Sequence, residues 1–219
     1  LRSLAPLQPE QAVLGQYTHG EMDGHEVPGY REEPNIALGS QTETFVALRV
    51  EVDSWRWQGV PFYLRTGKRL AERRSEIVIQ FKPVPHSIFE DRGGALKPNV
   101  LVIRLQPEEY IQLLVMAKEP GLDRDGIRLK EVPLNLSLEH EFAGTRRRIA
   151  YERLFLDLIE GDPTLFVRRD EVEAQWAWID AIREGWKSGN VKPKPYASGS
   201  WGPSAAIALT ERDGVTWNE

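Results

Sequence analysis

The chain has 219 residues, 41% hydrophobic and 28% charged, with 28 Lys and Arg against 33 Asp and Glu and a formal net charge of −5. That composition is that of a soluble globular protein rather than a disordered one, and its acidic sign argues against a nucleic-acid coat, which needs a broad basic face. It has no cysteine, which excludes a disulfide framework and thiolate chemistry, and no apolar run nears the roughly 18 residues of a membrane helix.

Leu1–Glu10 has neither the layout of a signal peptide nor an initiating Met. It reads as the continuation of something longer, and the expected location is cytoplasmic. Residues 1–40 are punctuated by Pro6, Pro9, Gly15, Gly20, Gly24, Pro28, Gly29, Pro34 and Gly39. No sustained period runs through them, so they are expected to form an extended leading segment on the body.

From Thr42 a period of two appears: Thr44, Val46, Leu48, Val50 and Val52 alternate with Phe45, Ala47, Arg49 and Glu51. A short apolar run follows at Val60–Leu64. Glu76–Lys82, Val100–Gln106 and Tyr110–Lys118 are further strands, the last two joined by the hairpin-length turn Pro107–Glu109. Ile127–Val132 and Asn135–Glu141 are weaker candidates. Helical spacing sets in at Ala150–Glu160, stopped by Gly161 and Pro163. A second helix begins at Asp170, with Glu173 three residues on as a capping-box partner and Val172, Trp176, Ile179, Ile182 and Trp186 as its apolar stripe. The tail from Val191 is again rich in Pro and Gly, with Trp201 and Trp217 expected to pin it down.

Strands first and helices later predict an α+β fold, a large mostly antiparallel β-sheet with helices packed on one face. A single domain over 1–219 is expected. Its parts are the leading segment 1–40, the sheet 41–145, the helical part 146–190 and an irregular tail 191–219.

Most chemical constellations fail. His19, His25, His86 and His140 lack metal-ligand spacing, and no metal site is expected. Asp123–Gly126 resembles a calcium loop, but its glycine falls two places early and Leu134 stands where a glutamate belongs. Asn135–Ser137 fits a glycosylation acceptor by chance composition. Glu139 and Glu141 flank His140 on what would be alternate faces of a strand. No strand leads through a glycine-rich turn into a helix, as a dinucleotide site requires.

One stretch survives. Val60–Arg74 reads VPFYLRTGKRLAERR and gathers Arg65, Lys68, Arg69, Arg73 and Arg74 beside a single acid, Glu72. Gly67 admits a backbone conformation that a side chain would obstruct, bringing Lys68 out at a strand end. Lysine offers three donors on a mobile point charge, suited to a tetrahedral phosphate. Arg73 reaches the same ligand if the chain folds back.

Several segments, taken in order, carry a resemblance: Val13–Tyr17, Val27–Tyr30, Thr42–Leu70, Val102–Pro107, Ala150–Leu154, Leu165–Glu173, Lys192–Tyr196 and Gly199–Pro203. Together they are similar to the C-terminal domain of bacterial glucose-6-phosphate dehydrogenases. The resemblance implies an enzyme that oxidises glucose 6-phosphate to the lactone and passes hydride to NADP or NAD. It also implies that the cofactor fold and the general base lie in an N-terminal domain outside this chain. No catalytic or cofactor-binding residue is then expected here, and the chain alone is expected to be inactive.

By the same resemblance Lys68 and Arg73 bind substrate, and the sheet forms a homodimer or a dimer of dimers. Family members with a second, structural NADP have Asp and Arg where Ile149 and Trp201 stand here, which argues against that nucleotide. Arg104 and Gln106 are then polar residues on an exposed or subunit-facing strand side. The alternative reading is a non-catalytic sugar-phosphate-binding or assembly module.

Overall fold

Alternation in the strands and 3.6-residue spacing in the helices set the elements, which the computed structural model describes over residues 1–86, 96–121, 128–144 and 149–219. Two compact units divide the chain: Leu1–Glu72 with Arg148–Glu219, and Arg73–Arg147. The α+β class and the mostly antiparallel pairing stand as expected, with the strands among the described residues in two four-stranded sheets and one two-stranded ribbon.

The first unit begins with β1 (Ala12–Thr18), the ribbon β2 (Gly20–Met22) and β3 (His25–Val27), then β4 (Phe45–Val50) and β5 (Phe62–Gly67). With β10 (Lys194–Ala197) they form a sheet in the order β10-β1-β4-β5, parallel only between β10 and β1. The leading segment therefore does not lie on the body. Its β1 is an inner strand with Val13, Leu14 and Tyr17 buried. Gly15, which breaks the apolar period, is there for packing: a Cβ on it would stand 2.9 Å from Phe45 Cβ.

The second unit holds β6 (Ser75–Gln80), β7 (Val100–Gln106), β8 (Tyr110–Lys118) and β9 (Leu129–Ser137), antiparallel in that order, followed by a single turn, α1 (Leu138–Glu141). Register aligns Ile77, Ile103, Ile111 and Leu136 in one row and Ile79, Leu101, Leu113 and Leu134 in the next, so one face is apolar. The other is mixed. On it Glu76 binds Arg104, whose guanidinium also lies 5.3 Å from the Tyr110 ring centre. Arg104 is thus tied down inside the sheet rather than standing exposed. The two weaker strands are one: Pro133 separates them in sequence, yet β9 is an edge strand, where a missing N–H is tolerated. Asn135 sits within it, accepting from Gln112 at 2.8 Å. Asp123–Gly126, Ile127 and the side chain of Glu139 lie outside the described residues.

Helices complete the first unit. α2 (Ala150–Glu160) ends at Gly161 in the left-handed region (φ 71°), as its sequence predicts. Its buried acid, Asp157, has Arg153 Nε at 2.8 Å. α3 (Arg169–Ser188) starts one residue before the expected Asp170. Its capping carboxylate is Glu171, which accepts from the Arg168 N–H at 2.9 Å, while Glu173 faces Arg169 instead. The tail is not irregular either, since it carries β10 and α4 (Ser204–Glu211).

α4 packs on β1 and β4, sending Ala206 and Leu209 into a core with Val13, Tyr17, Phe45, Ala47 and Tyr196. Phe45 is 1% exposed, and burying a side chain of that size contributes about 1.5–3 kcal/mol. Trp217 donates to the Ala206 carbonyl at 2.8 Å and fastens the last residues to this core.

Candidate functional site

β4 and β5 pair with Phe45 opposite Gly67, so the ladder ends where Lys68 emerges. Gly67 is needed there because a Cβ would fall 2.8 Å from Phe45 Cδ2, a steric requirement rather than a torsional one. The positive φ comes two residues later, at Arg69 (φ 50°), which turns the chain out of the strand.

The five cations of the basic stretch have different fates. Arg65 lies between two indoles, its guanidinium carbon 4.8 Å from the Trp201 ring centre and 4.6 Å from that of Trp217, with Glu219 at 3.0 Å. Arg69 binds Glu33 and covers the Tyr17 ring at 5.2 Å. Arg74 is nearly buried, with Glu76 at 3.6 Å. Lys68 and Arg73 are exposed, and neither forms an ion pair among the described residues. The two residues expected to bind substrate are those whose charge the fold leaves unspent. They belong to different units, Lys68 closing β5 in the first and Arg73 preceding β6 in the second.

Around Lys68 the backbone is firmly tied. Its N–H donates to the Thr44 carbonyl at 2.8 Å, and its carbonyl accepts from the Tyr196 hydroxyl at 2.7 Å. The next carbonyl, that of Arg69, accepts from the Gly199 N–H at 2.9 Å, and Ala71 N–H donates to Ser200 O at 3.1 Å. The Arg69 guanidinium holds the Glu33 carboxyl below its ordinary range. Burial pushes the hydroxyls of Tyr17 and Tyr196 up, further from ionisation than an ordinary tyrosine. The sequence reading took Thr44 only as part of a strand and passed over Tyr196, although both lie inside segments that carried the resemblance.

One sequence expectation fails locally. β10 does lead through Gly199 and Gly202 into α4. However, a Cβ on Gly199 would lie 2.1 Å from the Glu21 carbonyl oxygen, and one on Gly202 2.3 Å from Phe45 Cε2. Both glycines thus serve close packing, and their N–H groups are directed to the Arg69 carbonyl at 2.9 Å and Ser200 Oγ at 3.4 Å rather than left open to an anion. Trp201 within this turn stacks on Arg65.

Among the described residues no group of three His, Cys, Asp or Glu gathers as metal ligands, and all four histidines are exposed. No helix among them is long and apolar enough to cross a membrane. A cleft of about 1070 Å³ in the first unit, lined by Leu1, Arg2, Arg168, Arg169, Glu173 and Trp178 among others, is mixed in charge and does not include Lys68. Lys68 stands on open surface instead.

Comparison with known proteins gives a consistent result. Residues 1–218 match the family described as glucose-6-phosphate dehydrogenase, C-terminal domain. The chain is 64% identical to a glucose-6-phosphate 1-dehydrogenase of Zymomonas mobilis over 99% of its own length and 45% of that protein. With the enzyme of that name from Rhizobium meliloti it is 52% identical over 100% of its length and 45% of the relative. Among solved structures it is similar to a glucose-6-phosphate dehydrogenase in complex with its substrate glucose-6-phosphate, with a TM-score of 0.87, 30% identity, and coverage of 100% of this chain and 43% of that one. A glucose-6-phosphate 1-dehydrogenase from Mycobacterium avium gives a TM-score of 0.75 at 33% identity, covering 100% and 42%. The chain spans less than half the length of the relatives it matches.

Proposed function

This chain belongs to the glucose-6-phosphate dehydrogenase C-terminal domain family, and from that membership we propose that it is the substrate-side and oligomerisation part of such an enzyme. Within an intact dehydrogenase it works in the oxidation of glucose 6-phosphate at C1 to the lactone, in the cytoplasm. The acceptor is NADP or NAD, which supplies the hydride-accepting chemistry. No residue of this chain is assigned to the cofactor, which in this reading is bound mainly by the part of the enzyme outside this chain.

The observation that carries the proposal is that Lys68 stands exposed, with no ion pair among the described residues, beside cations that the fold has neutralised. Lys68 acts as an electrostatic anchor for the phosphate, and Arg73 is a second cation proposed to bind substrate. A charge-assisted hydrogen bond of this kind contributes about 1.5–3 kcal/mol. Binding energy spent on a group remote from C1 orients the carbon that loses hydride. An exposed lysine on open surface needs a second wall to exclude water, and the additional length of the relatives accommodates one.

The four-stranded sheet of the second unit is the proposed subunit interface, as a homodimer or a dimer of dimers. Its apolar rows and its Glu76–Arg104 pair give it the partly polar character that interfaces tolerate.

An NADP- and NAD-reduction assay tests the division of labour. Intact enzyme carrying this chain is expected to turn over glucose 6-phosphate, and the isolated chain is not. Turnover by the isolated chain contradicts it.

A further inference from the structure

Lysine carries its charge at the end of four rotatable bonds, so the aim of its ammonium depends on how firmly its own backbone is set. At Lys68 that setting comes from far away in sequence. Tyr196, 4% exposed, reaches from β10 to the Lys68 carbonyl at 2.7 Å, and the weaker alternative acceptor, the Thr44 carbonyl, lies at 3.3 Å.

The direction of the hydrogen bonds follows from counting protons. Thr44 Oγ1 accepts from the Tyr17 N–H at 3.0 Å. Tyr196 has one proton and gives it to Lys68, so across the 3.2 Å contact between the two hydroxyls Thr44 donates and Tyr196 accepts. A one-way relay therefore runs from the Tyr17 amide through Thr44 and Tyr196 to the Lys68 carbonyl. The Lys68 N–H returns to the Thr44 carbonyl at 2.8 Å, and the relay closes on the same residue. Arg69, next in the chain, holds a positive φ that most side chains avoid, so the bend needs such fixing.

We propose that Tyr196 is a positioning residue for substrate binding, holding the Lys68 backbone through its hydroxyl with Thr44 as the group that orients that hydroxyl. The inference rests on the reading of Lys68 as a phosphate anchor. Without the hydroxyl the Lys68 carbonyl loses its partner, the bend relaxes, and the ammonium samples directions that miss the phosphate.

The test is a double-mutant cycle in the intact dehydrogenase carrying this chain, with KM for glucose 6-phosphate, KM for the cofactor and kcat measured for Tyr196→Phe, Lys68→Ala and both together. Tyr196→Phe is expected to raise the sugar-phosphate KM by about 3–10-fold, the usual effect of losing one such hydrogen bond, with the cofactor KM unchanged. In the Lys68→Ala background it is expected to add nothing.

An unchanged sugar-phosphate KM in Tyr196→Phe, or the same increase with and without Lys68, overturns the inference while leaving the anchor intact. Wild-type kinetics for Lys68→Ala overturn the anchor reading itself. Should Tyr196→Phe fail to fold, Thr44 serves: Thr44→Val is expected to raise the same KM and Thr44→Ser to restore it, and equal behaviour of the two contradicts the relay.

Discussion

Gly67 lies against Phe45 so closely that a Cβ at position 67 would stand 2.8 Å from the Phe45 ring, below any ordinary contact. Gly202 presses on the same ring from the turn before α4, where a Cβ would come within 2.3 Å at φ +103°. The Phe45 ring cannot yield, since it is almost wholly buried. Gly67→Ala is therefore expected to destabilise the protein by about 1–3 kcal/mol through overpacking, and Gly202→Ala by more because its torsion adds strain. Urea unfolding midpoints check both, and a wild-type midpoint for Gly67→Ala contradicts the packing.

Lys68 is exposed and its ammonium forms no ion pair among the described residues, so removing it is expected to leave stability unchanged within about 0.5 kcal/mol. The effect falls on function. In the intact enzyme Lys68→Ala is expected to lower kcat/KM for glucose 6-phosphate at least ~10-fold, about 1.4 kcal/mol. Steady-state kinetics with thermal melts on the same samples separate the two effects.

Arg65 shows the opposite pattern. It is 10% exposed, held between Trp201 and Trp217, and paired with Glu219. Arg65→Ala is expected to cost about 2 kcal/mol through lost cation–π and stem packing. Tryptophan fluorescence should shift at the same time, as two indoles lose their cover. A variant as stable as wild type, with unshifted emission, speaks against the sandwich.

The extent to which these roles show in the sequence depends on how local their causes are. β7, β8 and α2 fall within the residues that their periods mark, because each period is written along one short segment and needs no distant partner to be read; on α2 the marked Tyr151, Phe155 and Leu158 stand exposed. β1 was hidden because Gly15 breaks its alternation for the sake of Phe45, a partner 30 positions on. β9 looked like two strands since only its edge position makes Pro133 acceptable. Lys68 was visible as a lysine leaving a strand after Gly67, but the sequence did not show that Arg65 and Arg69 are neutralised. Their indole and carboxylate partners come from the tail and from residue 33. The Tyr196 hydrogen bond to Lys68 spans 128 positions and leaves no period at all.

Asp213 supplies a pH dependence. The Tyr63 hydroxyl donates to its carboxylate and Arg49 Nε lies 2.7 Å away, which together hold its pKa below the ordinary 3.8. The folded protein therefore binds this proton less readily than the unfolded chain, and stability rises with pH through that window. The contribution is complete above the ordinary value and is lost as pH falls through the lower, folded one. With the side chain 36% exposed, solvent screening holds it to about 1 kcal/mol or less. The stability difference between wild type and Asp213→Asn is expected to be full near neutrality and to shrink below about pH 4. A difference independent of pH contradicts the pairing.

The most direct measurement is a crystal structure of the intact enzyme carrying this chain, soaked with glucose 6-phosphate. The Lys68 ammonium is expected within about 2.7–3.2 Å of a phosphate oxygen. A bound sugar phosphate whose oxygens all lie beyond the reach of Lys68 contradicts the account.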